Sequence, residues 1–282
     1  MAAILYSLVQ ATALAIIIFA LIIYDHEVRI DRPLFDDVTD TAKPIRVSCV
    51  GDSITAGVCA SADNMTYVGQ LSRLLGSRYN VTNYGDSGKT MLKDGLCASA
   101  ACSYCESPCA YWDTDTMDAA MQSDPDMVTI MLGTNDAKYC NWYGSPNGSP
   151  TGLGVEFRSA YLDMISLFKS LPTRPKVYVV IPPPLVHPPK HPGNPPPYNM
   201  TPRVLNVILP IMIRGIALES GADGVIDTWS ALGGTDEYED DAMTCDGCHP
   251  KDAAYTIIAK SFATVLREGA RDEGMHVDAL IK

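Results

Sequence analysis

Positive charge is scarce in this chain relative to negative. Its 282 residues carry 21 Lys and Arg against 33 Asp and Glu, a formal net charge of −12. Phosphate backbones are bound through basic patches, so this balance argues against nucleic acid as a partner. Internal repeats are absent, which sets aside solenoids and arrays. Charged residues make up 19% and apolar residues 47%, the composition of a globular protein rather than a disordered one. The length suits one α/β domain with a full core plus appendages.

Cysteine, by contrast, is plentiful: Cys49, Cys59, Cys97, Cys102, Cys105, Cys109, Cys140, Cys245 and Cys248. Cys49 falls in an apolar strand and reads as a free core thiol. The other eight could form four bridges in an oxidising compartment. Sequons at Asn64 and Asn80 agree with a secretory route, whereas those at Asn147 and Asn199 are followed by proline and are discounted.

Residues 1–24 read as a signal anchor or a signal peptide. Ala2 to Tyr24 is almost wholly apolar and covers roughly 34 Å as a helix, enough to span a bilayer. It exceeds the usual core of a cleaved signal and lacks a clean A-x-A site, which favours the uncleaved anchor. No Lys or Arg precedes it, and Arg29 and Arg32 follow it, a weak bias toward the cytosol. The cysteines and sequons outweigh that bias. The expectation is a secretory-pathway protein, membrane-anchored with its domain luminal or extracellular, or secreted if the segment is cleaved. Residues 25–44 read as a linker, 45–268 as the globular domain and 269–282 as a C-terminal tail.

Strand and helix patterns alternate through the domain. Buried strands are expected at 45–50, 79–84, 127–132, 176–181 and 224–227, and helices at 67–75, 113–121, 155–171, 203–220 (kinked at Pro210) and 251–267. The alternation predicts a five-stranded parallel sheet with helices on both faces. Pro182 to Pro202 is too rich in proline for helix or central strand and is expected to loop over the active face. His187 and His191 in it read as solvated loop histidines. Thr228 to Met243 is expected to be an acidic loop.

Several motifs carry chemistry. Gly51-Asp52-Ser53 follows the first strand, where ligands bind in open α/β sheets; the bland alternative is that Asp52 or Ser53 caps the next helix. Gly88-Lys89-Thr90 imitates the tail of a P-loop, but Asn83 occupies the required glycine position. Gly85-Asp86-Ser87-Gly88 imitates a chymotrypsin-type serine motif, yet only His26 precedes Ser87. What remains is a glycine-bearing turn suited to offering a backbone N–H to an anion. Gly133-Thr134-Asn135-Asp136 follows the third strand. Four cysteines between Cys97 and Cys109 read as a disulfide-stapled loop in preference to a metal knuckle. Cys245-Asp246-Gly247-Cys248-His249 admits haem attachment, zinc binding, or a carboxylate–imidazole pair in which Asp246 orients His249 as a base.

Four blocks, Gly51 to Thr55, Asn83 to Gly88, Gly133 to Asp136 and Asp246 to Pro250, resemble in order those of the SGNH, or GDSL-like, hydrolase superfamily. The resemblance covers about residues 45–268. It implies a flavodoxin-like three-layer α/β/α sandwich, here preceded by the N-terminal hydrophobic helix. It also implies Ser53 as nucleophile, His249 as general base and acid, and Asp246 as its orienter. The oxyanion hole would be the Ser53 and Gly88 N–H groups and the Asn135 amide, and ester hydrolysis would need no metal or cofactor. A bridge from Cys245 or Cys248 to Cys59 or Cys140 would rigidify the Asp246–His249 loop.

Within the superfamily the chain looks like the carbohydrate O-acetylesterase branch, through Tyr111-Trp112, Asn141-Trp142 and Pro182-Pro183-Pro184. Trp112 and Trp142 are either sugar-stacking platforms or core aromatics. The expected substrate is an acylated carbohydrate or other small ester. The alternatives are a lysophospholipase or short-chain lipid esterase, and an inactive membrane-tethered binding protein. The oligomeric state stays open.

Overall fold

The computed structural model describes residues 43–96, 108–143, 153–186, 196–234 and 240–280. The chain divides between Lys43 and Pro44. The expected membrane-spanning segment and nearly all of the linker, the cysteines at 97, 102 and 105, Asn147, His187 and His191 lie outside the described residues. No helix among the described residues is long and apolar enough to cross a membrane.

Five strands form one sheet: β1 (Ile45–Gly51), β2 (Tyr79–Gly85), β3 (Met127–Met131), β4 (Lys176–Ile181) and β5 (Gly224–Asp227). Their spatial order is β2-β1-β3-β4-β5 and every pairing is parallel, the doubly wound order of flavodoxin-like folds. The central strands are buried on both faces, which is why they read as continuous apolar runs rather than alternating ones.

The period of two along each strand sorts the core into two layers. Val50, Val128, Ile130, Val177, Val179 and Ile181 meet helices Asp115–Gln122, Leu153–Lys169 and Leu209–Ser220 on one face. Val47, Cys49, Met131, Tyr178 and Val180 meet helices Tyr67–Leu75 and Asp252–Leu280 on the other. Cys49 is the buried free thiol expected, its ionisation pushed up to about 12 by burial.

Four expectations change. Pro210 does not kink one continuous helix: a π-turn at Val204–Ile208 runs into the Leu209–Ser220 helix, with Pro210 in its first turn. The widened turn accommodates the missing proline N–H. The acidic loop contains short helices at Thr228–Ala231 and Asp240–Met243. The closing helix does not stop near Arg267 but runs Asp252–Leu280. Cys248 is a second buried free thiol, so it joins no bridge.

Candidate active site

The site is assembled at the carboxyl ends of β1, β2 and β3 and in the loop before the last helix. β1 ends at Gly51, where a Cβ would collide with the Thr55 side chain and stand 2.8 Å from the Met131 carbonyl oxygen. Only a glycine lets the next turn pack this closely. Asp52 then caps the Ser53–Ala56 helix, its Oδ1 accepting the Ile54 N–H at 3.0 Å. The capping role therefore falls to Asp52 and leaves the Ser53 hydroxyl for another partner.

That partner is His249. Ser53 Oγ lies 2.9 Å from His249 Nε2, across 196 positions of sequence. His249 Nδ1 lies 2.6 Å from Asp246 Oδ2. Asp246 Oδ1 accepts the N–H groups of Cys248 at 2.9 Å and His249 at 2.8 Å, an Asx-type turn that fixes the carboxylate. Tyr198 donates its hydroxyl to Asp246 Oδ2 at 2.7 Å. Burial alone would push the Asp246 carboxyl up, but hydrogen bonds from His249, side chain and backbone, and from Tyr198 outweigh it. They hold the group well below the usual carboxylate range.

The serine and imidazole open on a cavity of about 150 Å³. Among the described residues its walls include Gly88, Asn135, Lys138, Tyr198 and Met200. Gly88 has φ +80°, a conformation that disfavours any side chain. Asn135 is 4% exposed and donates Nδ2 to the Lys89 carbonyl at 3.1 Å, while its own carbonyl accepts Asn141 Nδ2 at 2.8 Å. The five residues named from the motif blocks (Ser53, Gly88, Asn135, Asp246 and His249) thus converge. Tyr198, Met200 and Lys138 were not expected there. Lys138 could have been suspected from its place two residues after the third block; Tyr198 and Met200 carry no such signal.

The two tryptophans are a correction. Trp142 is 7% exposed and packs on Phe157 with ring centroids 5.9 Å apart. Trp112 donates Nε1 to the Met91 carbonyl at 2.9 Å and carries the Lys93 ammonium 4.4 Å above its ring. Neither lines the cavity. Position beside a catalytic block does not fix which way an aromatic points, and here the core claims Trp142.

Cys59 is bridged to Cys245, with Cα atoms 6.2 Å apart. Cys109 and Cys140 are disulfide-bonded too, so the pairing of Cys140 with the Asp246 loop does not occur. The bridge also answers the haem and zinc readings. Donor atoms of Cys59, Cys245, Asp246 and His249 lie within 4.8 Å of one another. The two sulfurs share one disulfide, and both imidazole nitrogens are engaged by Ser53 and Asp246. The donor set does not fit a metal or a thioether-linked haem.

Asp136 supports the site from below. It is fully buried and accepts the Met91 and Leu92 N–H groups at 3.0 and 2.8 Å. Burial pushes its carboxyl up to about 7, against the pull of those N–H groups. A raised folded-state pKa stabilises below the unfolded value, and that contribution is lost as pH rises through about 7. Thermal melts should therefore show the wild type losing Tm between about pH 4 and about pH 7, and Asp136→Asn should narrow the loss.

Residues 49–257 match the GDSL-like Lipase/Acylhydrolase family. The chain belongs to that family. An acetylxylan esterase of Xylanibacter ruminicola is 28% identical over 243 residues, 79% of this chain and 43% of that protein. The chain thus spans less than half the length of that relative. An aryl esterase of M. smegmatis superposes with TM-score 0.55 at 23% identity, covering 79% of this chain and 99% of that one. A carbohydrate acetylesterase family member from Sinorhizobium meliloti superposes with TM-score 0.58 at 22% identity, covering 80% and 98%.

Proposed function

We propose that this protein is a serine esterase that removes O-acetyl groups from carbohydrate through an acyl-serine intermediate. The Ser53–His249–Asp246 chain of contacts, opening on a small cavity, carries the reading. Ser53 Oγ attacks the ester carbonyl carbon as its proton passes to His249 Nε2. The oxyanion is held by the Ser53 and Gly88 N–H groups and by the Asn135 amide hydrogen not given to Lys89. His249 then returns the proton to the leaving oxygen, the C–O bond breaks and the sugar hydroxyl departs. Water repeats the sequence on the acetyl-serine: it loses a proton to Nε2, acetate leaves, and the proton returns to Oγ. Asp246 keeps the imidazole oriented and stabilises its charge in both halves.

The acetyl preference is supported by the cavity's size and by the acetylxylan esterase and carbohydrate acetylesterase among the chain's relatives. The Cys59–Cys245 bridge supports a setting in the secretory pathway or outside the cell. Acetate release from acetylated xylan and from acetylated sialic acid, beside turnover of a lysophospholipid, tests the substrate class. Acetate from a sugar with an inert lysophospholipid is expected; the reverse would move the reading to lipid. On any ester that is turned over, Asn135→Ala should lower kcat by about 10²–10³, measured at saturating substrate.

A further inference from the structure

The Asp246 carboxylate is shared between two side chains. Its Oδ2 lies 2.6 Å from His249 Nδ1 and accepts the Tyr198 hydroxyl at 2.7 Å. The Tyr198 ring stands edge-on to the imidazole, with centroids 5.6 Å apart and an interplanar angle of 81°. Tyr198 also lines the cavity beside His249 and Ser53. Its backbone has φ +55°, where a bulky side chain is strained. Such strain persists only where the surroundings over-determine it, and it concentrates at functional sites.

The surroundings do hold this segment. Met200 forms a bridge with Lys138, and Thr201 donates its N–H to the Ala137 carbonyl at 2.7 Å. These contacts tie it to the chain just beyond Asn135. On the other side, Val186 donates its N–H to the Gly247 carbonyl at 2.9 Å. Gly247 has φ +84°, and a Cβ there would lie 3.0 Å from the Val186 carbonyl oxygen and 3.4 Å from Pro197 Cγ. The described ends of the crossing from β4 to the next helix therefore enclose the loop that carries Asp246 and His249.

We propose that Tyr198 is a positioning residue for the acyl-serine reaction, holding the Asp246 carboxylate so that His249 faces Ser53 and sharing its charge with the imidazole. The inference rests on the esterase reading. The hydroxyl restricts rotation of the carboxylate, which in turn fixes the ring. It also draws off part of the negative charge that would stabilise the imidazolium. A less stabilised imidazolium gives its proton to the leaving oxygen more readily. Tyr198 acts through Asp246 and touches none of the reacting atoms.

Tyr198→Phe removes the hydroxyl and keeps the ring against His249. It should lower kcat by about tenfold with KM changed less than about twofold, because misorientation penalises the transition state more than binding. The acid limb of kcat/KM should move to higher pH by about half a unit, since Asp246 then stabilises the imidazolium more strongly. Tyr198→Ala, which also removes the ring contact, should fall further. A Phe variant with wild-type kcat and an unmoved acid limb would overturn the inference, as would a variant altered only in Tm. Ser53→Ala run alongside separates the two levels. If it is inactive while Tyr198→Phe is unchanged, only the positioning role fails; if it stays active, the esterase reading fails and the inference with it.

Discussion

Replacing Ser53 by alanine should leave a folded protein whose kcat on p-nitrophenyl acetate is lower by about 10⁴–10⁶-fold. The size follows from how the groups cooperate. Without Oγ there is no acyl acceptor, and the His249–Asp246 pair has nothing to activate except a misplaced water. What survives is the oxyanion hole and binding. The fold should hardly notice, because the side chain is 7% exposed and its one described side-chain bond is to His249 Nε2. Losing that bond costs about 1 kcal/mol. Circular dichroism and a thermal melt on the same preparation check that half of the prediction.

The second large effect concerns the Cys59–Cys245 bridge. Cys59 lies six residues beyond Ser53 and Cys245 immediately precedes Asp246, so the disulfide joins the loop of Ser53 to the loop of Asp246 and His249. It closes 186 positions of sequence. The chain-entropy argument then gives about 5 kcal/mol of stabilisation as an upper figure, against the ~2–4 kcal/mol that disulfides typically deliver. The Cys59→Ser, Cys245→Ser double variant should lose stability of that order in denaturant melts. Because the same bridge holds the two loops at hydrogen-bonding distance, kcat should fall by about 10-fold or more even where the variant is fully folded. A variant with lower Tm but unchanged kcat at low temperature would show that the bridge serves the fold alone. The double variant is the right reagent, since a chemical reductant would also open the bridges at Cys109 and Cys140.

How much of this was legible in the sequence depends on the kind of constraint. The sheet was legible because β1, β3 and β4 are buried on both faces and must be apolar throughout. Ser53, Gly88, Asn135, Asp246 and His249 were legible because each stands in a short block whose neighbours are dictated by local geometry. Gly51 answers a close approach of Thr55 and Met131, and Gly88 answers a positive φ. Tyr198 and Met200 were not legible. They reach the cavity from a proline-rich crossing whose path has no periodicity, and their partners are 48 positions away, at Asp246 and Cys248. Trp112 and Trp142 stayed open between sugar platform and core aromatic for the converse reason: they are close in sequence to the blocks, but the core takes them.

Cys248 shows a similar limit. Counting cysteines suggested that eight would pair, but Cys248 is 2% exposed, with its sulfur 3.8 Å from that of Met200. It behaves as a small apolar side chain under the catalytic loop. The last helix continues past Arg267, where the sequence pattern ends it, and runs on through Gly269. In the structure that glycine sits where a Cβ would collide with the Tyr178 hydroxyl, and its carbonyl accepts Lys176 Nζ at 2.7 Å. It is there for close packing of helix on sheet, and the helix continues past it.

The central claim is that Ser53 Oγ becomes covalently acylated with His249 taking its proton. A serine-directed fluorophosphonate tests it most directly, because the hydroxyl displaces fluoride only when a neighbouring base accepts its proton. Peptide mapping by mass spectrometry should find one phosphonyl adduct, on the peptide holding Ser53, and none in Ser53→Ala or His249→Ala. An unlabelled wild type that still hydrolyses esters, or a label carried by another residue, would contradict the account.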